Sequence, residues 1–120
     1  MGDRMSRTAR VTIDAGAVSV ARSIAAAARL APLLVITHRS LIELADECGG
    51  YEQAARRLLT IATNAGKPIG VNTPTGSDSS RTWFVSPKGW TQERAAGWVA
   101  GKRAELERAF GDATPVWEDA

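Results

Sequence analysis

Few side chains in this 120-residue chain could carry out catalysis or hold a metal ion. His38 is the only histidine and Cys48 the only cysteine, and they stand ten residues apart. A zinc site needs three or four such ligands, and a catalytic histidine needs a nucleophile or an orienting partner. Asp46 and Glu47 follow the pattern of a solvated helix face. The sequence therefore predicts no enzyme activity, no metal and no cofactor.

A second segment whose residue types could bind a ligand is Thr73–Asp78 (TPTGSD), which has a glycine and several hydroxyls. It lacks the Gly-Lys-Ser/Thr ending of a phosphate-binding loop, and its composition is typical of an exposed turn. Cys48 fits a small buried apolar position better than a redox switch. Because one cysteine forms no internal disulfide, the chain favours a reducing compartment, and we expect a cytoplasmic location.

Positive charge is spread unevenly along the chain. Residues 1–102 carry 13 Lys and Arg against 8 Asp and Glu, whereas residues 103–120 carry 2 against 5. A mildly basic body is compatible with phosphate binding, but a solvated mixed surface has the same composition. The length suits one domain. The longest apolar stretch, Ile24–Thr37, is interrupted by Arg29 and Pro32, so we expect no membrane span.

Hydrophobic periodicity divides the chain into helices and short strands. The predicted elements are, in order, a possible strand at 10–14, a helix from 14 to about 30, a short strand at 33–36, helices at 40–48 and 51–64, hairpin strands at 68–73 and 81–86, and a helix at 87–110. Asp14 and either Thr37 or Ser40 are the expected N-terminal caps. Gly49-Gly50 supplies a tight turn, and Gly66 ends the helix before the hairpin.

These elements predict a mainly α fold with a small β-hairpin. We expect an N-terminal arm over residues 1–13, a domain over 14–86, a C-terminal helix over 87–111 and an acidic tail over 112–120. The composition of the tail indicates mobility apart from Trp117.

The stretch Leu44–Gly66 (LADECGGYEQAARRLLTIATNAG) carries a Leu-Ala pair, an acidic pair, a glycine turn, an arginine-bearing helix and a closing glycine. Ala45 has to be small where two helices cross, and Leu58 and Leu59 have to anchor the second helix. Together with the order of elements over about residues 16–86, this pattern resembles the winged helix-turn-helix family of DNA-binding regulators. It departs from the family at Gly50, where an apolar residue is more usual.

The resemblance implies a winged helix-turn-helix domain over 14–86, a long C-terminal helix after it, and a regulator of transcription that binds double-stranded DNA. The 51–64 helix would lie in the major groove, where Gln pairs with adenine and Arg with guanine. The start of the 40–48 helix would hold a phosphate, and the base of the hairpin would reach the backbone or minor groove. The implied DNA-binding residues are Arg39, Ser40, Tyr51, Gln53, Arg56, Arg57, Thr60 and Arg81.

The tryptophans suggest packing before they suggest binding. Trp83 alternates with Val85 on the second hairpin strand, and Trp90 and Trp98 share a face of the final helix. If that face is not covered within one chain, a homodimer through the C-terminal helix would cover it. Such a dimer would also place two reading helices on one duplex.

Two alternatives stay open. In the first, Leu34–Thr37, the helical stretch and Pro68–Thr73 form a β-α-β crossover in a small α/β adaptor or structural protein. Gly49 and Gly50 oppose that hypothesis, since each would cost about 1 kcal/mol inside a single helix. In the second alternative, a winged fold serves protein assembly, which the sparse basic charge favours.

Overall fold

The computed structural model describes residues 10–12, 19–77, 79–110 and 116–119. In chain order the elements are β1 (Arg10–Thr12), α1 (Val20–Leu30), β2 (Leu34–Ile36), α2 (His38–Cys48), α3 (Tyr51–Ala65), β3 (Ile69–Pro74), β4 (Ser80–Val85), α4 (Gln92–Phe110) and β5 (Val116–Asp119). The described chain is therefore mainly helical with a small sheet, as its periodicity predicts. No helix among these residues combines the length and the apolar character that a membrane crossing requires.

The strands form one sheet in the order β1-β5-β2-β3-β4. β1, β5, β2 and β3 are paired in parallel, and β3 and β4 form an antiparallel hairpin in which Ile69 pairs with Val85. The predicted hairpin is thus confirmed. The parallel pairing of β2 with β3 is the crossover of the α/β alternative, but its helical part is two helices, because the chain turns at Gly49 and Gly50.

α1 begins later than the sequence predicts. The Ser19 hydroxyl accepts a hydrogen bond from the Arg22 N–H at 3.0 Å, so Ser19 is the N-terminal cap and the helix starts at Val20. The expected cap, Asp14, lies outside the described residues. The other end agrees with the prediction, since Ala31 has an extended backbone and Pro32 follows it.

The C-terminal helix is shorter than predicted. The Trp90 N–H donates to the Pro87 carbonyl at 3.1 Å, so residues 87–90 form a turn in which Gly89 has φ 89°. Thr91 then accepts from the Arg94 N–H at 3.0 Å, and α4 runs from Gln92. The predicted start at residue 87 was wrong, because periodicity alone does not register a local turn followed by a hydroxyl cap.

β5 lies where the sequence predicts a mobile acidic tail. It pairs with β1 on one side and β2 on the other, with Trp117 opposite both Arg10 and Val35. Residues 116–119 therefore form a strand within the tail for which the composition predicts mobility apart from Trp117. Val116 and Trp117 are residue types that favour strands, and the acidic composition around them concealed this preference.

The apolar core combines buried residues of α1, β2, α2, α3 and β3 with Leu106 of α4. Val35 and Gly70 are paired neighbours on one face of the sheet, and any side chain at position 70 would force its neighbours to shift. A Cβ at Gly70 would lie 2.8 Å from the Phe84 ring and 3.0 Å from Val35. Phe84 in turn borders a groove with Ala95 and Val99, so α4 lies against this face.

Candidate nucleic-acid interface

α2 and α3 meet at the double glycine. Gly49 adopts a left-handed conformation at φ 95°, and Gly50 has φ 140° and ψ 169°, a region that is essentially restricted to glycine. Both glycine N–H groups donate to the Ala45 carbonyl, at 2.9 and 2.8 Å. These bonds satisfy the end of α2 and turn the chain directly into α3. The predicted helix, tight turn and helix are therefore confirmed.

The packed side of α3 differs from the predicted one. Ala54, Leu58, Ile61 and Ala62 are buried, whereas Leu59 is 38% exposed. Leu58 and Ala62 agree with the prediction, but the expected burial of Ala55 and Leu59 was wrong. The buried positions follow i, i+4, i+7 and i+8. The apolar stripe of α3 therefore includes Ala54 and Ile61 in place of the predicted Ala55 and Leu59.

The side of α3 that borders α2 carries four of the polar residues that the sequence singled out. Gln53, Arg56, Arg57 and Thr60 are exposed and border one open cleft of about 350 Å³, together with Glu47 and Cys48 of α2. Their spacing of i, i+3, i+4 and i+7 places them on one face of the helix. The structure thus brings together half of the eight predicted DNA-binding residues.

Arg56 is engaged within its own helix. Its Nη2 donates to Glu52 Oε2 at 2.8 Å, and the two side chains are 69% and 75% exposed. An exposed pair of this kind contributes at most about 1 kcal/mol, so it exchanges readily for another anion. The cleft therefore contains one arginine with an internal partner and a second, Arg57, near the carboxylate of Glu47.

The remaining predicted residues lie outside this cleft. Tyr51 is 59% exposed and borders a second depression of about 330 Å³ beside Ile42 and the double glycine. Arg39 is exposed in the first turn of α2, and Arg81 is exposed on β4. Ser40 is only 4% exposed, which leaves its side chain little surface for a phosphate, and its role in DNA binding stays a prediction. The cap of α2 is Thr37, whose hydroxyl accepts from the Ser40 N–H at 3.2 Å.

Glu47 has a role that sequence reasoning missed. Its carboxylate accepts the N–H groups of Val20 and Ala21 at 2.7 and 3.1 Å and the Ser19 hydroxyl at 3.1 Å. The bonds from Val20 and Ala21, then that from Ser19 and the charge of Arg57, hold the pKa of Glu47 below its ordinary value despite opposing desolvation. Glu47, a residue of α2, therefore caps the N-terminus of α1. The contact joins residues 26 to 28 positions apart, so a local sequence pattern does not predict it.

The other end of α1 is held by Lys67, which follows α3. Its Nζ donates to the Ala31 carbonyl at 2.7 Å and to the Arg29 carbonyl at 3.5 Å. Burial, and then the charge of Lys102, lower the pKa of Lys67. An acid at the N-terminus and a base at the C-terminus both complement the helix dipole of α1. The two side chains thus fasten α1 to α2 at one end and to the segment after α3 at the other.

The chemistry available elsewhere in the described chain is limited. His38 and Cys48 stand at opposite ends of α2, about 15 Å apart at 1.5 Å per residue, so they cannot bind the same metal ion. His38 is half-buried. Among the residues that the structure describes, no group of three or more His, Cys, Asp or Glu could hold a metal ion.

Comparisons of the chain with protein-family models, with curated proteins and with solved structures find no match. The functional interpretation rests on the residues of α2 and α3 and on their geometry.

Proposed function

We propose that this protein is a non-enzymatic DNA-binding protein, a transcriptional regulator of the winged helix-turn-helix type, that presents α3 to the major groove of a duplex. The observation that supports the proposal is the exposed row of Gln53, Arg56, Arg57 and Thr60 along one side of α3. A neighbouring side of the same helix is packed into the core. A helix with one buried side and one row of arginine and amide groups suits insertion into the groove.

The types of side chain define what the row would recognise. Each arginine forms two parallel hydrogen bonds with guanine or binds a phosphate, and Gln53 pairs in the same way with adenine. A good bidentate pair contributes about 1–3 kcal/mol of discrimination against the wrong base. Arg56 would exchange its bond to Glu52 for one of these contacts, because both side chains of that pair are largely exposed to solvent.

The flanking elements have supporting roles in this proposal. Arg39, in the first turn of α2, would bind a phosphate beside the groove. The β3–β4 hairpin would serve as the wing. Arg81 is its cation, since residues 75–79 (TGSDS) contain no Lys or Arg. We expect the wing to contribute less binding free energy than α3.

The proposal is tested by titrating the full chain into a labelled mixed-sequence duplex over a series of salt concentrations. Each phosphate contact contributes a slope of about −0.9 to the dependence of log affinity on log salt. The double variant Arg56→Ala/Arg57→Ala should lower affinity at least about tenfold and reduce the slope by up to about 2. The matched control is Arg22→Ala/Arg29→Ala, which removes the same charge from exposed positions of α1.

Two results would contradict the proposal. One is the absence of salt-dependent binding by the unaltered chain. The other is an equal loss of affinity in both double variants, because the arginines of α3 would then contribute only through the net charge of the protein.

A second candidate function is a protein-interaction module of the α/β type. The parallel pairing of β2 with β3 across α2 and α3 favours it, as does the hairpin loop without basic residues. Contacts with a protein partner would depend on the apolar and mixed surfaces, so duplex binding would be weak and the arginine double variant would behave like its control.

A further inference from the structure

Trp90, in the turn before α4, and Trp98, within α4, contact each other and the rest of the chain. The rings of Trp90 and Trp98 meet edge to face with centroids 6.5 Å apart, and Trp98 packs against the core. Arg94 lies over Trp90 at 3.9 Å and Lys102 near Trp98 at 5.6 Å. Contacts within the chain therefore cover part of this face and leave Trp90 and Trp98 half-buried.

The uncovered apolar surface of α4 lies on a different side. Phe84 and Ser86, at the end of β4, form a groove of about 480 Å³ with a strip of α4. The residues of α4 that border this groove are Gln92, Ala95, Ala96, Val99, Ala100 and Arg103. Ala96 and Ala100 are exposed, and Phe84 and Val99 are half-buried. The groove is thus apolar at its centre and polar at its ends.

The strand beside this groove also has an open side. β4 is the last strand in the order of the described sheet, so one of its edges has no strand partner there. Residues 82–85 (TWFV) contain no charge and no proline, the features with which edge strands usually avoid association. The open edge and the apolar groove adjoin at Phe84, which makes them one continuous surface.

The exposed side of α4 is complementary to itself. Glu93, Ala96, Ala100 and Arg103 follow the 3-4-3 spacing of a two-helix seam. If two copies of α4 run antiparallel about a twofold axis level with residue 98, Ala96 faces Ala100 of the second copy and Glu93 faces Arg103. The alanines allow a close approach of the helix axes, and the opposite charges pair at both ends.

We propose that the partner of this surface is a second copy of the chain, and that the protein forms a twofold dimer through an antiparallel α4–α4 seam that covers Phe84 and the groove. The contact is isologous, so each favourable pair occurs twice. The proposal does not rest on DNA binding, since none of the seam residues belongs to the row on α3. In a DNA-binding protein it would supply the second reading helix.

The test is sedimentation equilibrium of the full chain over a range of concentrations. The double variant Ala96→Glu/Ala100→Glu should raise the dimer dissociation constant at least about tenfold, because four carboxylates would meet in the seam. Ala109→Glu is the control, as Ala109 is exposed, lies outside the groove and stands on the side of α4 opposite Ala100. Glutamate favours helices at exposed positions, and circular dichroism verifies that each variant is folded.

A charge exchange tests the register. Glu93→Arg and Arg103→Glu should each weaken the dimer about tenfold, since each brings two pairs of like charges together. The combined variant Glu93→Arg/Arg103→Glu should recover most of the affinity. A chain that is monomeric at every concentration, a dimer that tolerates the alanine double variant, or single variants that the combination does not rescue would each overturn the proposal.

Discussion

α3 and α4 are helices of 15 and 19 residues that bury very different shares of their surfaces. α3 buries four side chains along its whole length and ends at Gly66, which is left-handed at φ 72°. Of the described side chains of α4, only Ala95 and Leu106 are buried. The core therefore determines where α3 lies and which side it exposes, whereas α4 keeps an apolar strip that the described residues leave uncovered.

The difference indicates how each helix would act on a partner. A row of polar groups on a well-packed helix needs no further ordering when it binds, so little conformational entropy is lost. A partly covered helix gains more from a second surface, because burying its apolar strip stabilises both partners. We therefore associate α3 with recognition of a polar ligand and α4 with self-association.

The largest effect is expected from truncating the anchor of α3. Leu58 is fully buried, so Leu58→Ala should lower the free energy of unfolding by about 2–5 kcal/mol in urea denaturation. Leu59→Ala, at the adjacent and 38% exposed position, is the control and should cost less than about 1 kcal/mol.

Hydrogen exchange of Leu106→Ala, the corresponding variant in α4, compares how firmly α3 and α4 are held in the fold. Leu106 is 4% exposed, but few other side chains of α4 hold the helix. Leu106→Ala should accelerate exchange mainly within α4, whereas Leu58→Ala should accelerate it throughout the core. If both variants opened the same set of amides, α4 would be as firmly integrated as α3.

The next prediction compares Gly50, which precedes α3, with Gly97, which lies within α4. Gly50→Ala should destabilise the protein by about 1–3 kcal/mol, because its φ of 140° and ψ of 169° are strained for any residue with a Cβ. Gly97 lies inside α4 with open space at its Cβ position, so Gly97→Ala should stabilise by about 0.5–1 kcal/mol. Thermal unfolding measures both changes. An equal response at the two positions would show that the turn before α3 is not conformationally restricted.

A smaller effect concerns the capping of α1 by Glu47. Its pKa is lower in the folded chain than the ordinary value of 4.5, so the carboxylate stabilises the fold above that value. The contribution is lost as the pH falls through the lowered pKa of the folded state. Glu47→Ala should cost about 0.3–1 kcal/mol at neutral pH, as for an exposed charge at a helix terminus, and should flatten the acid side of the stability profile.

The control for Glu47 is its neighbour. Asp46→Ala removes a carboxylate from the adjacent, exposed position of α2. It should leave the acid dependence of unfolding close to that of the unaltered chain. A profile for Glu47→Ala that matches the unaltered protein would mean that the contact with Val20 and Ala21 contributes nothing in solution.

Local signals explain which parts of the molecule the sequence could predict. Glycines, hydroxyl caps and apolar spacing act within a few residues, and they locate α2, the turn at Gly49, α3 and the hairpin. The row on α3 follows from the same spacing. The sequence left Thr37 and Ser40 open as caps of α2, and the structure gives that role to Thr37, three residues before Ser40.

Long-range contacts explain the rest. β5 lies beside β2 although some 80 positions separate Leu34 from Val116, and the sequence of neither segment predicts the pairing. The bonds from Glu47 to the start of α1 depend on how α2 packs across that helix. The groove beside Phe84 likewise exists only once β4 and α4 are placed together. Local patterns thus predict α3 better than they predict α4.

The smallest expected effect tests the exposed row on α3 directly. Glu52→Gln removes the carboxylate that holds Arg56 and takes one negative charge away from the surface that would face phosphates. Because an exposed ion pair contributes about 0.2–1 kcal/mol, affinity for the duplex should rise by up to about fivefold at low salt. Glu105→Gln is the matched control, since Glu105 forms a comparable bond with Lys102 on α4 at 3.2 Å. An increase in both variants would indicate only a general effect of charge, whereas an increase confined to Glu52→Gln would associate duplex binding with α3.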